Sequence, residues 1–466
     1  MPEETGSTRQ KALKINLDAR KFGTFAEIGA GQEVVRWFFH AGKAAGTIAK
    51  TISAYDMAIS DGLYGQTRHY VSRERLEAML DREYQRLLEQ LDATRGESTA
   101  FFVFADTSAT QTHSQRAAGH SWLGVRFQTE PRGEPSEIII HVEMLDPVTV
   151  QQQEALGLMG VNLIYGAFYY ADDSVRLIES LMDDLSRRRI EVDMIKFSGP
   201  LFAQVDNRLM SLQLVEQGLT DAAMFAAAGE VMQPAEVLYN KPVMIERGSF
   251  RPVTNVTLEM MERAIRQLPE SSPGEERVAI MEMTLNNLMS GDAIDHRDFL
   301  ARVDILGALG RMVMISNYTR FDRVTSYLRQ YTKNWIGMVM GVPTLLQVFD
   351  EKYYSDLQGG ILEGLGRLFQ GHVKVFVYPT RQTGGEALTT ADCVQVKAEL
   401  RHLYSYLREN SFIMSVQDFA PEELHVTPAT VLAAIQSGDS GWEKLVPAQA
   451  AAVIKQKGLF GYRAAA

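Results

Sequence analysis

Val278-Ala279-Ile280-Met281-Glu282-Met283 opens a regular alternation that runs to residue 380. This short apolar run reads as a buried strand, and a helical pattern follows it over 298–309. Met312 to Ile315 repeats the strand signal before a helix at 321–331, and Trp335 to Val339 repeats it before a helix at 343–349. A further helix at 359–369 leads into the strand Lys374 to Tyr378. Short apolar strands separated by amphipathic helices are joined by crossovers, not hairpins, and this gives parallel strands with right-handed connections. The expected fold class is α/β, with a doubly wound, Rossmann-like layer at 278–380.

Outward from that layer, PESSPGEE (269–276) is polar, carries two prolines and sits between a helix and a strand, so a linker and domain boundary are expected there. Residues 99–268 read as a second, mixed α/β domain. Phe101 to Ala105 forms a buried strand running into Asp106, and Trp122 to Phe127 and Glu137 to Met144 form two more. The loop PRGEPS (131–136) joins the latter pair as a hairpin would, so part of this sheet is antiparallel. Helices near 149–159, 173–187 and 205–217 then alternate with strands at 191–197, 221–225 and 243–246, and Val161 to Tyr170 reads as a separate apolar segment. Residues 21–98 read as mostly helical, because Leu76, Met79, Leu80, Tyr84 and Leu87 keep helical spacing behind an N-cap at Ser72. Residues 1–20 read as a mobile polar tail and 386–466 as a mostly helical C-terminal region.

With 45% hydrophobic and 23% charged residues, the composition is that of a globular chain with enough apolar material for a core. A formal net charge of -11 repels phosphate backbones, which argues against general nucleic-acid binding while leaving room for a small anion in a local basic pocket. The single cysteine, Cys393, allows no intramolecular disulfide, as expected of a reducing compartment. The charged N-terminus lacks the apolar core of an export signal, and the best apolar run, Ile336 to Phe349, is broken by Gly337, Gly341 and Pro343. A cytoplasmic location and no membrane partner are the expectations.

Candidate sites come from strand ends, because ligands of open parallel sheets sit just beyond the carboxyl ends of the strands. Strand 190–197 runs into Ser198, Gly199 and then Asp206, Asn207 and Arg208, while strand 243–246 runs into Arg247, Gly248, Ser249 and Arg251. Both loops are polar, contain glycine, and place arginines whose forked donors suit a phosphate or carboxylate. The competing reading is a clamp between loops, such as Asp206 with Arg247. Phe25-Ala26-Glu27-Ile28-Gly29-Ala30-Gly31-Gln32-Glu33 resembles a nucleotide-binding glycine turn but lacks the third glycine, so a structural turn competes. The small-residue segment 41–58, with Ala44, Ala45 and Gly46, suits tight packing, including packing against a second subunit. Asp106, His113 and His120 are spaced seven apart across a loop, a spacing that does not force them onto one metal, and none is expected.

Two resemblances follow. Glu282 and Thr284 at one strand end, Ser316 and Asn317 at the next, then Lys333 and Asp350-Glu351, are similar in order to the haloacid dehalogenase-like phosphatases. That likeness implies the fold without the reaction, since Glu282 stands where the family has its nucleophilic aspartate and Thr284 where it has the second. Across the whole chain, FAEIGAGQEVVRWFF, AAGTIAKTISAYD, IEVDMIKFSGPLF, VDNRLMSLQLVE and RGSFRPVTNVT resemble a conserved family of cyanobacterial and proteobacterial proteins. Its members often carry the label TonB-dependent receptor or nicotinate-mononucleotide adenylyltransferase. The sequence supports neither: a receptor needs an export signal and a barrel, and an adenylyltransferase needs an HxGH-like signature that Gly119-His120-Ser121-Trp122 does not supply.

The expectation is a protein that binds a small anionic or nucleotide-like ligand at 198–208 and 247–254, with the reaction and cofactor unspecified. A self-assembling scaffold with a degenerate phosphatase-like domain is the alternative. A metal-dependent hydrolase using Asp106 or Glu282 is the third reading.

Overall fold

The computed structural model describes residues 6–29, 32–110, 119–381 and 387–463. The chain is α/β and divides into two units, Met1–Asp221 and Ala222–Ala466.

The first unit is built on a six-stranded sheet in the order β2-β1-β3-β4-β5-β6. Its strands are β1 (Lys21–Gly29), β2 (Ile48–Ile52), β3 (Ala100–Ala109), β4 (Gly119–Phe127), β5 (Ser136–Met144) and β6 (Ile190–Ser198). β1 is parallel to β2 and β3, and β3 to β6 run antiparallel in succession. Side chains alternate between two buried faces. Phe25, Phe102, Phe104, Leu123, Val125 and Ile140 share one core with α1 (Thr8–Asn16), α2 (Glu33–Ala41) and α5 (Thr149–Tyr169). Beyond α3 (Met57–Tyr64), α4 (Arg73–Arg95) lies on the opposite face, so close that a Cβ on Gly124 would stand 2.8 Å from Leu80. Helices α6 (Ser174–Ser180) and α7 (Asn207–Glu216) extend the first core through Leu177, Met210 and Leu214.

Three expectations change in this unit. The supposed tail forms α1, because Ala12 and Ile15 are fully buried and Lys11 Nζ bonds Asn162 and Asp183 at 2.7 and 2.5 Å. The supposedly helical 21–98 region contributes β1 and β2. A strand buried on both faces has no period-two signal, which is why KFGTFAEIG does not announce itself. The apolar segment at 161–170 continues α5, a helix buried nearly all round, with no amphipathic stripe to mark it.

The second unit carries an eight-stranded sheet in the order β18-β15-β14-β9-β10-β13-β7-β8. The strands are β7 (Ala222–Phe225), β8 (Val231–Met232), β9 (Val243–Arg247), β10 (Val278–Thr284), β13 (Met312–Ser316), β14 (Ile336–Gly341), β15 (Val373–Tyr378) and β18 (Ile413–Ser415). Two short hairpins stand apart, β11–β12 (Met289–Ser290 and Ala293–Ile294) and β16–β17 (Thr380–Arg381 and Leu388–Thr389). From β18 to β13 every neighbouring pair is parallel, and β7 and β8 close one edge antiparallel. The chain steps from β9 through β10 to β13, then returns to the other side of β9 for β14, β15 and β18. This is the doubly wound order, with its reversal point between β9 and β14.

After α8 (Pro234–Leu238), the first crossovers run through α9 (Asn255–Gln267), α10 (Leu285–Leu288) and α11 (His296–Ala308). The later ones run through α12 (Phe321–Tyr331), α13 (Val342–Val348), α14 (Gly360–Leu368) and α15 (Arg401–Glu409), followed by α16 (Pro428–Ser437) and α17 (Ala448–Lys457). Val243, Ile245, Ile280, Met338 and Val375 share a core with Val324 and Leu328 of α12 and Leu365 of α14.

The sheet also corrects the domain boundary. Val243 of β9 pairs with Val278 of β10, so 269–276 joins α9 to β10 inside one sheet, and the chain divides after Asp221. The doubly wound layer starts at β9, a strand earlier than 278, and ends at β18 inside the expected helical C-terminal region. Among the described residues, no helix is long and apolar enough to cross a membrane.

Candidate functional site

The loop after β9 leaves the sheet at its reversal point. Arg247, the last residue of β9, stands in register with Glu282 of β10. Its Nε and Nη2 meet the two carboxylate oxygens of Glu282 at 2.9 and 2.8 Å, and Ser316 Oγ donates to the same carboxylate at 2.6 Å. The guanidinium lies 4.3 Å from the centre of the Phe321 ring. Gly248 N continues the pairing by bonding Glu282 O at 3.0 Å. A Cβ here would stand 2.8 Å from the ring of Phe250, which is itself buried with φ of 47°, so a larger residue would have to displace that ring.

Arg251 reaches Asp298 with Nε at 2.7 Å, and Arg302 binds the other oxygen of that carboxylate at 2.7 Å. Arg302 Nη1 also donates to the carbonyls of Ser249 and Asn287 at 3.0 and 2.7 Å, which ties the loop to α11. Three guanidinium groups therefore contact two carboxylates, and one of the cations, Arg251, keeps 40% of its side chain exposed. Burial holds the Arg302 pKa below the usual guanidinium value, as expected of a desolvated cation whose single carboxylate is shared. The N-terminus of α9 is already occupied. Thr254 Oγ1 accepts from Thr257 N at 3.2 Å, and Asn255 N bonds Leu445 O at 3.0 Å. An anion here would be bound by arginine, not by a helix end.

The other expected loop belongs to the first unit. Ser198 ends β6 opposite Glu137, and Gly199 turns with φ of 94°, a position where a Cβ would stand 2.6 Å from the Ser136 backbone. Asp206 caps α7 and binds Arg208 through Nε at 2.9 Å and Nη2 at 2.6 Å. Burial would raise the Asp206 pKa, but the bonds from Arg208 outweigh it and hold the carboxyl below its usual value. Asn207 bonds both backbone groups of Phe197, at 2.8 and 3.0 Å. Asp206 thus clamps Arg208, and Arg247 clamps Glu282. Of the phosphatase-like residues, Glu282 and Ser316 do come together, with Glu282 as the counter-ion of Arg247. Thr284 caps α10, and Asp350 holds Lys352 at 2.9 Å.

Two polar clusters of the first unit also sit at one end of its sheet. Glu27 of β1 and Asp106 of β3 are in register and buried. Glu27 accepts from Val35 N in α2 at 3.3 Å, and burial pushes its pKa up to about 8. Burial and then the Glu27 charge raise Asp106 well above the carboxylate range. Ser108 Oγ stands 3.4 Å from Asp106 and 2.6 Å from Ser121 Oγ. On the opposite face, Asp193 Oδ1 meets His141 Nδ1 at 2.6 Å, and His141 Nε2 meets His120 Nδ1 at 3.2 Å.

Sequence spacing singled out Asp106 and His120 but not Glu27 with Asp106, nor His141 with Asp193. Strand register makes these pairs, and register is visible only as the alternation of neighbouring strands. Ala30, Gly31 and His113 lie outside the described residues. Among those described, no group of three or more His, Cys, Asp or Glu is placed to hold a metal ion.

No protein-family model matches the chain, and the search of curated proteins finds no relative. Among solved structures it is similar to the competence/damage inducible protein CihA from Agrobacterium tumefaciens, at 13% identity and a TM-score of 0.26, over 34% of this chain and 94% of that one. It is also similar to a competence-damaged protein (CinA) superfamily protein from Enterobacter cloacae, at 12% identity and 0.25, over 34% and 89%. A competence or damage-inducible protein from Enterobacter asburiae matches at 15% and 0.25, over 34% and 95%. These likenesses carry no activity to this chain.

Proposed function

We propose that the chain binds a small anionic, nucleotide-like ligand in its second unit, at the loop 247–254 beyond the carboxyl end of β9. The observation that carries this is the coincidence of the sheet's reversal point with three arginines held by two carboxylates. A phosphate or carboxylate would complete the charge balance by engaging Arg251 and the loop around Gly248 and Ser249. In the 198–208 loop, Asp206 caps α7 and clamps Arg208, and Asn207 bonds the Phe197 backbone, so the ligand is assigned to 247–254 alone.

Titration calorimetry with phosphate, pyrophosphate and a mononucleotide panel tests the reading. Arg251→Ala is the informative variant, because Arg302 still neutralises Asp298. Loss of a charged hydrogen bond of roughly 1.5–3 kcal/mol predicts at least a tenfold weaker affinity. Binding unchanged in Arg251→Ala would sink the assignment.

A second reading, self-assembly, is favoured by one observation. Tyr55, Met57 and Ile59 follow or overlap the small-residue segment 41–58 and are 73%, 62% and 58% exposed. Light scattering that finds only monomer at micromolar concentration would dismiss it.

A further inference from the structure

The first unit contains a hydrogen-bonded line of side chains that the anion site does not use. Asp193, His141 and His120 lie on adjacent strands, β6, β5 and β4, on the sheet face that carries Trp122. The register of β5 and β6 shifts between His141 and Val142, so that His141 pairs with Met194 while Val142 pairs with Val192. Asp193 is the extra residue of this bulge. A regular strand would point it to the opposite face from Met194, and the bulge re-aims it at His141. The Trp122 ring, in register with His141, stands 4.8 Å from the imidazole and fixes its plane. Asp193 and His141 are 3% and 1% exposed, whereas His120 is half-buried.

The hydrogen-bond chemistry then assigns the tautomers. A carboxylate only accepts, so His141 Nδ1 carries the proton of the 2.6 Å contact. In a neutral His141, Nε2 is then a lone pair, so the 3.2 Å contact requires His120 Nδ1 to donate. His120 Nε2 is left as an acceptor at the half-buried end of the line.

We propose that Asp193, His141 and His120 form a proton relay, with His120 Nε2 as the general base toward a hydroxyl-bearing ligand or a water molecule. The step balances without any further reactant. The O–H bond of the ligand breaks and its proton binds His120 Nε2. The Nδ1 proton of His120 passes to His141 Nε2, and the positive charge rests on His141 beside the Asp193 carboxylate. The oxygen keeps the electron pair and becomes the nucleophile. His120 is unsuited to hold that charge itself, since burial and the neighbouring His141 push its pKa down to about 4. Among the described residues, Glu143 is in register with His120 and Glu191 with Glu143, while Glu27 and Asp106 lie at the same end on the opposite face. Thr220 and Arg187 hold Glu191 at 2.6 and 3.5 Å. Asp193 and His141 are positioning residues, and His120 is the group that meets the ligand.

The test is nitrogen-15 NMR of the histidine tautomers in the full chain, joined to hydrolysis of p-nitrophenyl acetate. Wild type should show the Nδ1–H tautomer at both histidines, and acidification should produce imidazolium at His141 before His120. Asp193→Asn should shift both tautomer populations. Esterolysis should fall at least tenfold in His120→Gln, a variant at the half-buried end of the line, outside the buried Asp193–His141 pair. An Nε2–H tautomer at His120, a His120 that protonates first, or equal esterolysis in wild type and His120→Gln would each overturn the relay. None of these readings involves Arg251, so the relay and the anion site stand or fall separately.

Discussion

Glu27 shows what a single buried group does to this protein. Its pKa, about 8 against an ordinary 4.5, means that the folded state holds a proton that the unfolded chain releases. Stability therefore falls as pH rises from 4.5, and the penalty is complete above 8, the reverse of a salt-bridged carboxylate. Glu27→Gln keeps the acceptor for Val35 N and removes the charge. Its melting temperature should match wild type below pH 4.5 and exceed it above 8. The gain should be on the order of 2–4 kcal/mol, since a tenfold change in proton affinity is worth ~1.4 kcal/mol. A melting difference independent of pH would show that Glu27 is ionised throughout.

Arg247 is a second case. Glu282 is fully buried, so Arg247→Ala leaves an uncompensated carboxylate and should cost ~3–5 kcal/mol in urea unfolding. Adding Glu282→Gln should recover much of that loss, and a double variant no more stable than the single one would mean the charge is not the cause.

At the scale of elements, the ends of strands decide more than their middles. Gly29 ends β1 with φ of 84°, and a Cβ there would stand 2.1 Å from the Ser108 carbonyl of β3. Gly29→Ala meets both a left-handed backbone and a backbone clash, and should destabilise the first unit by ~2–4 kcal/mol, read as a lower denaturant midpoint. The sequence motif around Gly29 resembles a nucleotide turn, yet what makes glycine necessary is the neighbouring strand. Thr254 is milder. It caps α9 through Thr257 N, so Thr254→Ala should cost about 1 kcal/mol while leaving anion binding intact, because arginines and not the helix end would hold the ligand. Amphipathic helices such as α12 and α4 were legible, and so were strands of the doubly wound layer. β1 was not, because both its faces are buried, and neither was the continuity of α5.

For the whole molecule, the buried cluster of the second unit, drawn entirely from residues beyond Asp221, predicts that residues 222–466, expressed alone, unfold in one cooperative transition. A fragment with no near-ultraviolet circular dichroism would show that its core needs the rest of the chain. The alternation from Val278 to Tyr378 by itself pointed to parallel strands with helical crossovers, because short apolar runs between amphipathic helices are buried when those helices cover both faces of a sheet. The sequence also placed Arg247, Gly248, Ser249 and Arg251 at a strand end. Only the tertiary structure decided that β9 is the strand at which the sheet reverses, and that Asp206 closes on Arg208 while Arg247 closes on Glu282. It alone brought Asp193 to His141 across a bulge. The physical reason is the same each time. Periodicity reports how one segment meets solvent, whereas strand order and register are set by which segments bury one another.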